Sequence, residues 1–431
     1  MRIIHICFIL CALLIATPVF AVDDFYGPGN DKATFNDSRR PDLGIGQRDY
    51  GGDIAQRSDG GSEWEEFYVQ DLEMGPFMER LYEVLTNEEW LGQYPEVVKI
   101  AEYVNGQGLF NISTMHSEYA ITGDHIYLYS ADSYENLDPE SYYAKFMALP
   151  NREFASASYL NDDFLLFLGY NNMVDMMMLG IEEAFSSPEY MEIVSMLSGQ
   201  NDVEEMKQVF GMIEALQLDE LLGNVLTGEL ALVLFDLPPL PQLFEGDVNP
   251  GDFDIMLMIG LADSDYAIEM LDTYGMDVGL MARDYGDNEW HYYMMQGEEG
   301  LGLMFNDELA VVSTNIDAAR KHVQAGEGFN VEPCMYYFDI NFEQIEAKII
   351  APLGEMAQAE LAGEDIKLPI EPLSYLLDLP ESEELGHISI SAGTTEDGFS
   401  VKAEMKKAIV QYMAYYLGLA LCGAGQAGAF D

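Results

Sequence analysis

The residues best suited to chemistry lie in one short stretch, Asp247-Val248-Asn249-Pro250-Gly251-Asp252-Phe253-Asp254. Oxygen ligands at alternating positions around a Pro-Gly turn are what a calcium ion selects, so Asp247, Asn249, Asp252 and Asp254 are the candidate metal ligands. The spacing is not that of an EF-hand and no glutamate closes the loop at its twelfth position. A plain solvated turn is therefore the competing reading. Asp132, Asn136 and Asp138, just before Pro139, make a second and poorer oxygen-rich loop. The histidines beyond the N-terminal segment are His116, His125, His291, His322 and His387. None form the H-x-x-x-H or H-E-x-x-H pairs that put two imidazoles on one helix face. His116 and His125, with Glu118 and Asp124 close by, lie on two neighbouring strands and converge on a divalent metal only if those strands bring them together.

Other chemistries lack their signatures. The sequence has no G-x-S-x-G and no S-x-x-K, and no cysteine is flanked as in thiol proteases. Gly297-Glu298-Glu299-Gly300-Leu301-Gly302 contains glycines, but two carboxylates stand where a phosphate would sit, which argues against nucleotide binding. Carboxylate pairs such as Asp162-Asp163 are too common in so acidic a chain to single out a general acid and base. A hydrolase built on carboxylates alone needs two acids of raised pKa across a cleft. Met173, Met176, Met177, Met178, Met191 and Met196 recur at helical spacing and read as core filling or an adaptable protein-binding face. The 26 tyrosines suit an interaction surface or a carbohydrate platform, or simply packing. The chain is expected to be no enzyme and to need no cofactor, calcium excepted.

These residues must be positioned by α+β elements, and the stretch from Asp252 to Gln324 shows them best. Phe253 to Gly260 reads as a buried strand, and Ala262-Asp263-Ser264-Asp265 caps a helix with Ala267, Met270, Leu271 and Tyr274 on its apolar face. Strands follow at Trp290–Met295, Leu301–Phe305 and Leu309–Val312, with Asn306-Asp307-Glu308 as a hairpin turn. Ser313 or Thr314 then caps a helix that places Ile316, Ala319 and Val323 inward and an Asp317/Lys321 pair outward. Upstream, a strand at Phe67, helices at Pro76–Leu85 and Pro95–Val104, strands at Leu109–Met115 and His125–Ser130, and a helix from Pro139 give a β-α-α-β-β-α order. A similar order returns at Phe164–Phe235, with helices at Met173–Phe185 and Val203–Leu216. It returns again after Met335, with helices at Phe342–Met356 and Ile370–Leu377 and a hairpin at His387–Met405. The expectation is mixed or antiparallel sheets covered by helices, with a loosely repeated β-α-α-β-β order.

Composition bounds the setting. Met1-Arg2, the apolar run Ile3 to Phe20, and Val19-Phe20-Ala21 before an acidic flank make a secretory signal peptide over residues 1–21. Residues 22–65 are rich in Gly, Pro and Asp and form a flexible leader that holds Lys32, Arg39, Arg40, Arg48 and Arg57. The expected units are 66–150, 151–330 and 331–431, the last ending in the apolar run Ala408 to Ala420, a docking helix or an envelope anchor. A net charge of −57 repels nucleic acid and anionic membrane surfaces, and suits cations or basic proteins. Cys334 and Cys422 either make one bridge or remain two buried thiols.

Leu149-Pro150 through Gly180, Gly228-Glu229-Leu230-Ala231-Leu232 and Phe305 to Ser313 with the helix after it resemble a broad group of exported bacterial proteins carrying an uncharacterised domain. That resemblance implies an exported α+β protein of the periplasm or extracellular space with no assigned activity. The functional expectation is a non-catalytic binding or envelope-interaction protein whose partner is a protein or envelope component; the alternatives are a carboxylate-dependent hydrolase and a calcium-stabilised surface protein. The calcium reading has a direct measure. If Asp247, Asn249, Asp252 and Asp254 bind calcium only in the folded chain, the thermal midpoint rises by several degrees with calcium at fixed ionic strength. An unchanged midpoint removes the site.

Overall fold

The computed structural model describes residues 66–86, 95–198, 211, 223–245, 248–274, 279–286, 289–296, 300–326, 328–353 and 384–413. The signal segment, the leader, the helices expected at 203–216 and 370–377, Asp247, Glu298, Glu299, Cys422 and residues 414–431 lie outside these. The described chain is built on one antiparallel sheet of thirteen strands. In chain order they are β1 (Glu66–Glu73), β2 (Ile112–Thr122), β3 (His125–Tyr134), β4 (Leu166–Tyr170), β5 (Leu226–Asp236), β6 (Asp254–Leu261) and β7 (Leu280–Arg283). After them come β8 (His291–Met295), β9 (Gly302–Phe305), β10 (Leu309–Ser313), β11 (Tyr336–Asn341), β12 (His387–Thr394) and β13 (Gly398–Lys406). Their order in the sheet is β1-β2-β3-β13-β12-β11-β4-β5-β6-β10-β9-β8-β7.

Tight turns make the local pairs. Gly123, at φ +52°, turns β2 into β3, and Asn306 Oδ1 accepts from the N–H groups of Glu308 and Leu309 to turn β9 into β10. The remaining pairs join distant segments. β13 pairs with β3, and β11 pairs with β4, so the last hairpin of the chain sits between the N-terminal strands and the central ones. One sheet therefore runs through all three expected units. The expectation of an α+β chain with antiparallel pairing holds, but the loosely repeated β-α-α-β-β order is not supported. Strand neighbours do not group into successive units, because long-range pairing interleaves the segments.

Register fixes two faces, since side chains alternate along every strand. One row of residues crosses the whole sheet on the core face: Val69, Glu118, Tyr129, Lys402, Ser391, Tyr337, Gly169, Ala231, Met258, Val311, Met304, Tyr292 and Arg283. The middle of this face is fully buried, with Phe167, Val233, Met256, Met258, Met304 and Val311 each at 0% exposure. A short 3-10 turn, Ser156–Tyr159, and the helix Ile316–Ala325 cover it. Ile316, Ala319 and Val323 are buried as their spacing predicts. The cap of that helix differs from expectation. Asn315 accepts from Ala318 N–H, while Ser313 accepts from Asn315 N–H and Thr314 donates to Phe253 C=O.

The opposite face carries the other helices: α1 (Gly75–Leu85), α2 (Pro95–Gly106), α3 (Tyr142–Met147), α4 (Met173–Ser186), α5 (Pro188–Ser198) and α7 (Ser264–Tyr274), with α6 (Leu240–Glu245) in the β5–β6 connection. The Ile316–Ala325 helix is α8. Asp263 caps α7 by accepting from Tyr266 N–H, as expected. α9 (Phe342–Ile345) runs on through a π turn, and with residues 407–413 it packs around Leu385, Ile388 and Met405. Among the described residues, no helix is long and apolar enough to cross a membrane.

A buried polar knot holds the covering turn to the sheet. The Glu229 carboxylate accepts from the backbone N–H groups of Ala155 and Ser156, both at 2.8 Å. Asn171 donates to the carbonyls of Arg152 and Cys334, and Asn172 donates to Pro150. Gly228, at φ +86°, lies so close to the Asn172 backbone that a Cβ there would stand 3.3 Å from its Cα, and no larger residue adopts that turn easily. Replacing Glu229 with Gln keeps one acceptor oxygen but puts an amide donor against the other of the two backbone N–H groups. We expect Glu229→Gln to cost about 2 kcal/mol in urea unfolding, and a change below about 0.5 kcal/mol would show that the knot does not fix the turn.

Candidate functional site

The site begins where the core-face row leaves the covered middle. On β3, β13, β12 and β11 the alternating positions are Tyr127, Tyr129, Glu404, Lys402, Ser389, Ser391 and Tyr337 in place of Met and Val. Together with the segment Asn330-Val331-Glu332 they line a cavity of about 390 Å³. Lys402 Nζ lies 3.0 Å from the Glu332 carboxylate and ties that segment to the sheet. Gly169 marks the inner edge of the tyrosine region. A Cβ there would press into the rings of Phe154 and Phe167, which pack edge to face beside Tyr337. The cavity thus has flat aromatic walls, a floor with two hydroxyls, and a charged rim.

Beside it on the same face lies a carboxylate–histidine dyad. Asp339, 4% exposed, takes a hydrogen bond from Tyr337 Oη at 2.9 Å and contacts His387 Nδ1 at 2.6 Å. The His387 ring stands edge-on to Phe164. Burial lowers the His387 pKa, but the Asp339 hydrogen bond and charge, with Asp162 and Glu343 farther off, outweigh it and leave the ring above its ordinary value. Burial and the same carboxylate push the Tyr337 phenol up, so it stays a donor. The arrangement positions Tyr337 through Asp339, and Tyr337 in turn forms a wall of the cavity.

The residues singled out from sequence go elsewhere. His116 contacts Asp71 through Nδ1 at 2.7 Å and Glu118 through Nε2 at 3.0 Å. The Glu118 hydrogen bond chiefly raises its pKa, with burial opposing and Asp71 adding to the rise. His125 contacts Asp124 at 2.8 Å. The register partner of His116 on β3 is Ala131, six residues from His125, or about 20 Å along a strand. The two histidines do not converge, because pairing sets them at different heights. In the oxygen-rich stretch, Asp252 accepts from Asn249 N–H at 2.7 Å and Asp254 contacts His322 Nε2 at 3.1 Å. The carboxylates of Asp252 and Asp254 thus serve a turn and a histidine stacked on Phe235. Among the described residues, no group of three or more His, Cys, Asp or Glu is arranged to hold a metal. In the second loop, Asp132 is half-buried on β3 beside Tyr134, its pKa pushed up to about 6 by desolvation, while Asp138 accepts from Glu140 N–H. Cys334 is buried and its thiol is pushed up to about 12, mainly by burial.

No family model matches the chain, and no curated protein matches it. Among solved structures, it is similar to crystal form III of TP0453 at 8% identity and a TM-score of 0.25, over 60% of this chain and 97% of that one. So slight a likeness carries no argument about fold or function.

The dyad gives a signed pH dependence. A histidine whose folded pKa is raised contributes stability that is fully present below its unfolded value, about 6.5, and is lost as pH rises through the folded value. His387→Gln removes that contribution. The difference in unfolding free energy between the native chain and His387→Gln is expected to be larger at pH 5.5 than at pH 8.5; a difference that grows with pH contradicts the assignment.

Proposed function

We propose that the chain is an exported, non-catalytic binding or envelope-interaction protein whose ligand seats in the tyrosine-walled cavity. The observation that carries this reading is the cavity itself, about 390 Å³ and lined by Tyr127, Tyr129, Tyr337, Ser389 and Ser391. That volume falls within the range of small-ligand sites. Tyrosine rings offer apolar faces with hydroxyl tips, and serine hydroxyls both donate and accept, a combination suited to a sugar ring or a peptide side chain. The N-terminal segment supports export to the periplasm or the extracellular space, and the −57 charge argues against nucleic acid and anionic lipid surfaces as partners.

The carboxylate-dependent hydrolase has less support. Asp132 and Glu229 are the carboxylates whose pKa burial raises among the described residues. Asp132 shares a face with Ser130, which aligns across the sheet with Leu230, the neighbour of Glu229. Alternation then puts Glu229 and Asp132 on opposite faces, so they cannot flank one bond. The calcium-stabilised surface protein rests on the Asp247 to Asp254 stretch alone.

Soluble oligosaccharide fragments of bacterial cell wall are the first probe, titrated into residues 22–431 with tyrosine fluorescence as readout. Saturable binding is expected, weakened roughly tenfold by Tyr127→Ala, with the fragments recovered intact. Binding unaffected by Tyr127→Ala and Ser391→Ala would move the ligand away from the cavity, and cleaved fragments would restore the hydrolase.

A further inference from the structure

Cations are scarce in this chain, with 19 Lys and Arg against 76 Asp and Glu. Such a ratio should leave no arginine without a carboxylate. Two of the four described arginines follow that rule: Arg80 pairs with Glu83, and Arg152 with Asp175. Arg283 and Arg320 do not. Neither has a carboxylate within 4 Å among the described residues; both guanidinium carbons instead lie over the ring of Tyr285, at 4.8 and 5.2 Å from its centroid. The two charges are therefore at most about 10 Å apart, around one aromatic ring.

The sequence brings them together from separate elements. Arg283 ends β7, the edge strand of the sheet, on the core face and in register with Tyr292. Arg320 comes from α8, one residue past the buried Ala319. Tyr285 follows β7 and packs on Tyr292 at 4.7 Å, which anchors the ring to the sheet. Arg283 is exposed, whereas Arg320 is half-buried, and its Nε is fully buried with no hydrogen-bond acceptor. A buried guanidinium nitrogen without an acceptor is costly, and two like charges on one ring repel. Cation–π attraction offsets part of this but supplies no acceptor. Asp317, one turn before Arg320, is the acid that acts on the same ring. Burial first, then the Asp317 carboxylate, raise the Tyr285 pKa, while Arg283 and Arg320 act against them. The Asp317/Lys321 pair expected on α8 does not form among the described ion pairs.

We infer that Arg283, Arg320 and Tyr285 form a binding site for an oxyanion, the phosphate or carboxylate group of an acidic ligand. Each guanidinium presents up to five donors in a planar fork, and one oxyanion placed between them takes donors from both. The tyrosine fixes both forks in advance, so little side-chain freedom is lost on binding. The site lies at the opposite end of the core-face row from the tyrosine-walled cavity and does not depend on the reading of that cavity. Asp317 is the tuning group, because its negative charge at the rim opposes an incoming anion.

The test is calorimetric titration of residues 22–431 with inorganic phosphate, and separately with citrate, against a chloride control of equal ionic strength. Saturable binding of at least one anion is expected, weakened roughly tenfold by Arg283→Gln and by Arg320→Gln and tightened several-fold by Asp317→Asn. The gain in Asp317→Asn cannot come from misfolding, so it guards against a variant that merely unfolds. Phosphate binding alone points to a phosphorylated ligand, and citrate binding alone to a carboxylated one. The site is overturned if neither anion binds beyond the chloride control, or if both arginine variants, folded by circular dichroism, keep the native affinity.

Discussion

The register that carries one row of residues from Val69 to Arg283 across thirteen strands is the constraint on which the rest of the molecule depends. A slip of one residue at any pairing would turn every later side chain to the other face. Two joints are most exposed to that error, β13 on β3 and β11 on β4, because they pair segments hundreds of residues apart or close a long excursion of the chain. The second is secured from outside the ladder, and the first gains an anchor at the hairpin that carries β13. Asn151 binds Thr394 through its side-chain oxygen and nitrogen, and Asn171 bonds the carbonyls of Arg152 and Cys334, pinning the start of β11 to the end of β4. Asn151 is exposed, but Asn171 is buried, so its satisfied bonds also avoid a desolvation penalty.

With register fixed, the character of the core face changes along the row. Over β4, β5, β6 and β10 it is Phe, Ala, Val and Met at zero exposure, sealed by the Ser156 turn and α8. Toward β3 and β13 the same alternating positions become Tyr, Lys and Glu, and toward β7 they become Tyr and Arg. A dry core cannot hold those polar tips without partners. The covering elements stop where the polar positions begin, and that places a cavity on one flank and a cationic cluster on the other. Function on this sheet is thus a matter of where its cover ends.

Much of the local structure was legible in the sequence. The turns at Gly123 and Asn306, the Asp263 cap and the inward face of α8 follow from side-chain chemistry within a few residues of each other. α5 was missed although its signals are local: Ser187 accepts from Tyr190 N–H and Pro188 opens the helix, but they follow the end of α4 so closely that one helix masks the next. The cap of α8 was placed one or two residues early, since Ser313, Thr314 and Asn315 all have capping side chains and only tertiary contacts to Phe253 decide among them. The candidate sites were barely legible. Tyr127, Tyr337 and Lys402 each sit in an ordinary alternating strand, and nothing in the sequence says that 127, 337 and 402 share a row. Arg283 and Arg320 were invisible for the same reason.

Charge explains why so acidic a chain can hold this sheet together. Four half-buried lysines and Arg152 join separate elements: Lys99 to Glu192, Lys145 to Glu182, Arg152 to Asp175, Lys348 to Asp236 and Lys402 to Glu332. Each such surface pair is worth at most about 1 kcal/mol. Their value lies in position, because each one places a cation where two acidic surfaces would otherwise meet and repel. Histidines extend the device inward, with His116, His322 and His387 each against a carboxylate of another strand or helix. Repulsion among the remaining surface acids is long-ranged and screened by salt, with a Debye length near 8 Å at physiological ionic strength. The buried amides and backbone ladder are indifferent to salt. The fold is therefore specified by uncharged hydrogen bonds at its joints, while the sparse cations decide how closely the acidic surfaces around those joints can approach.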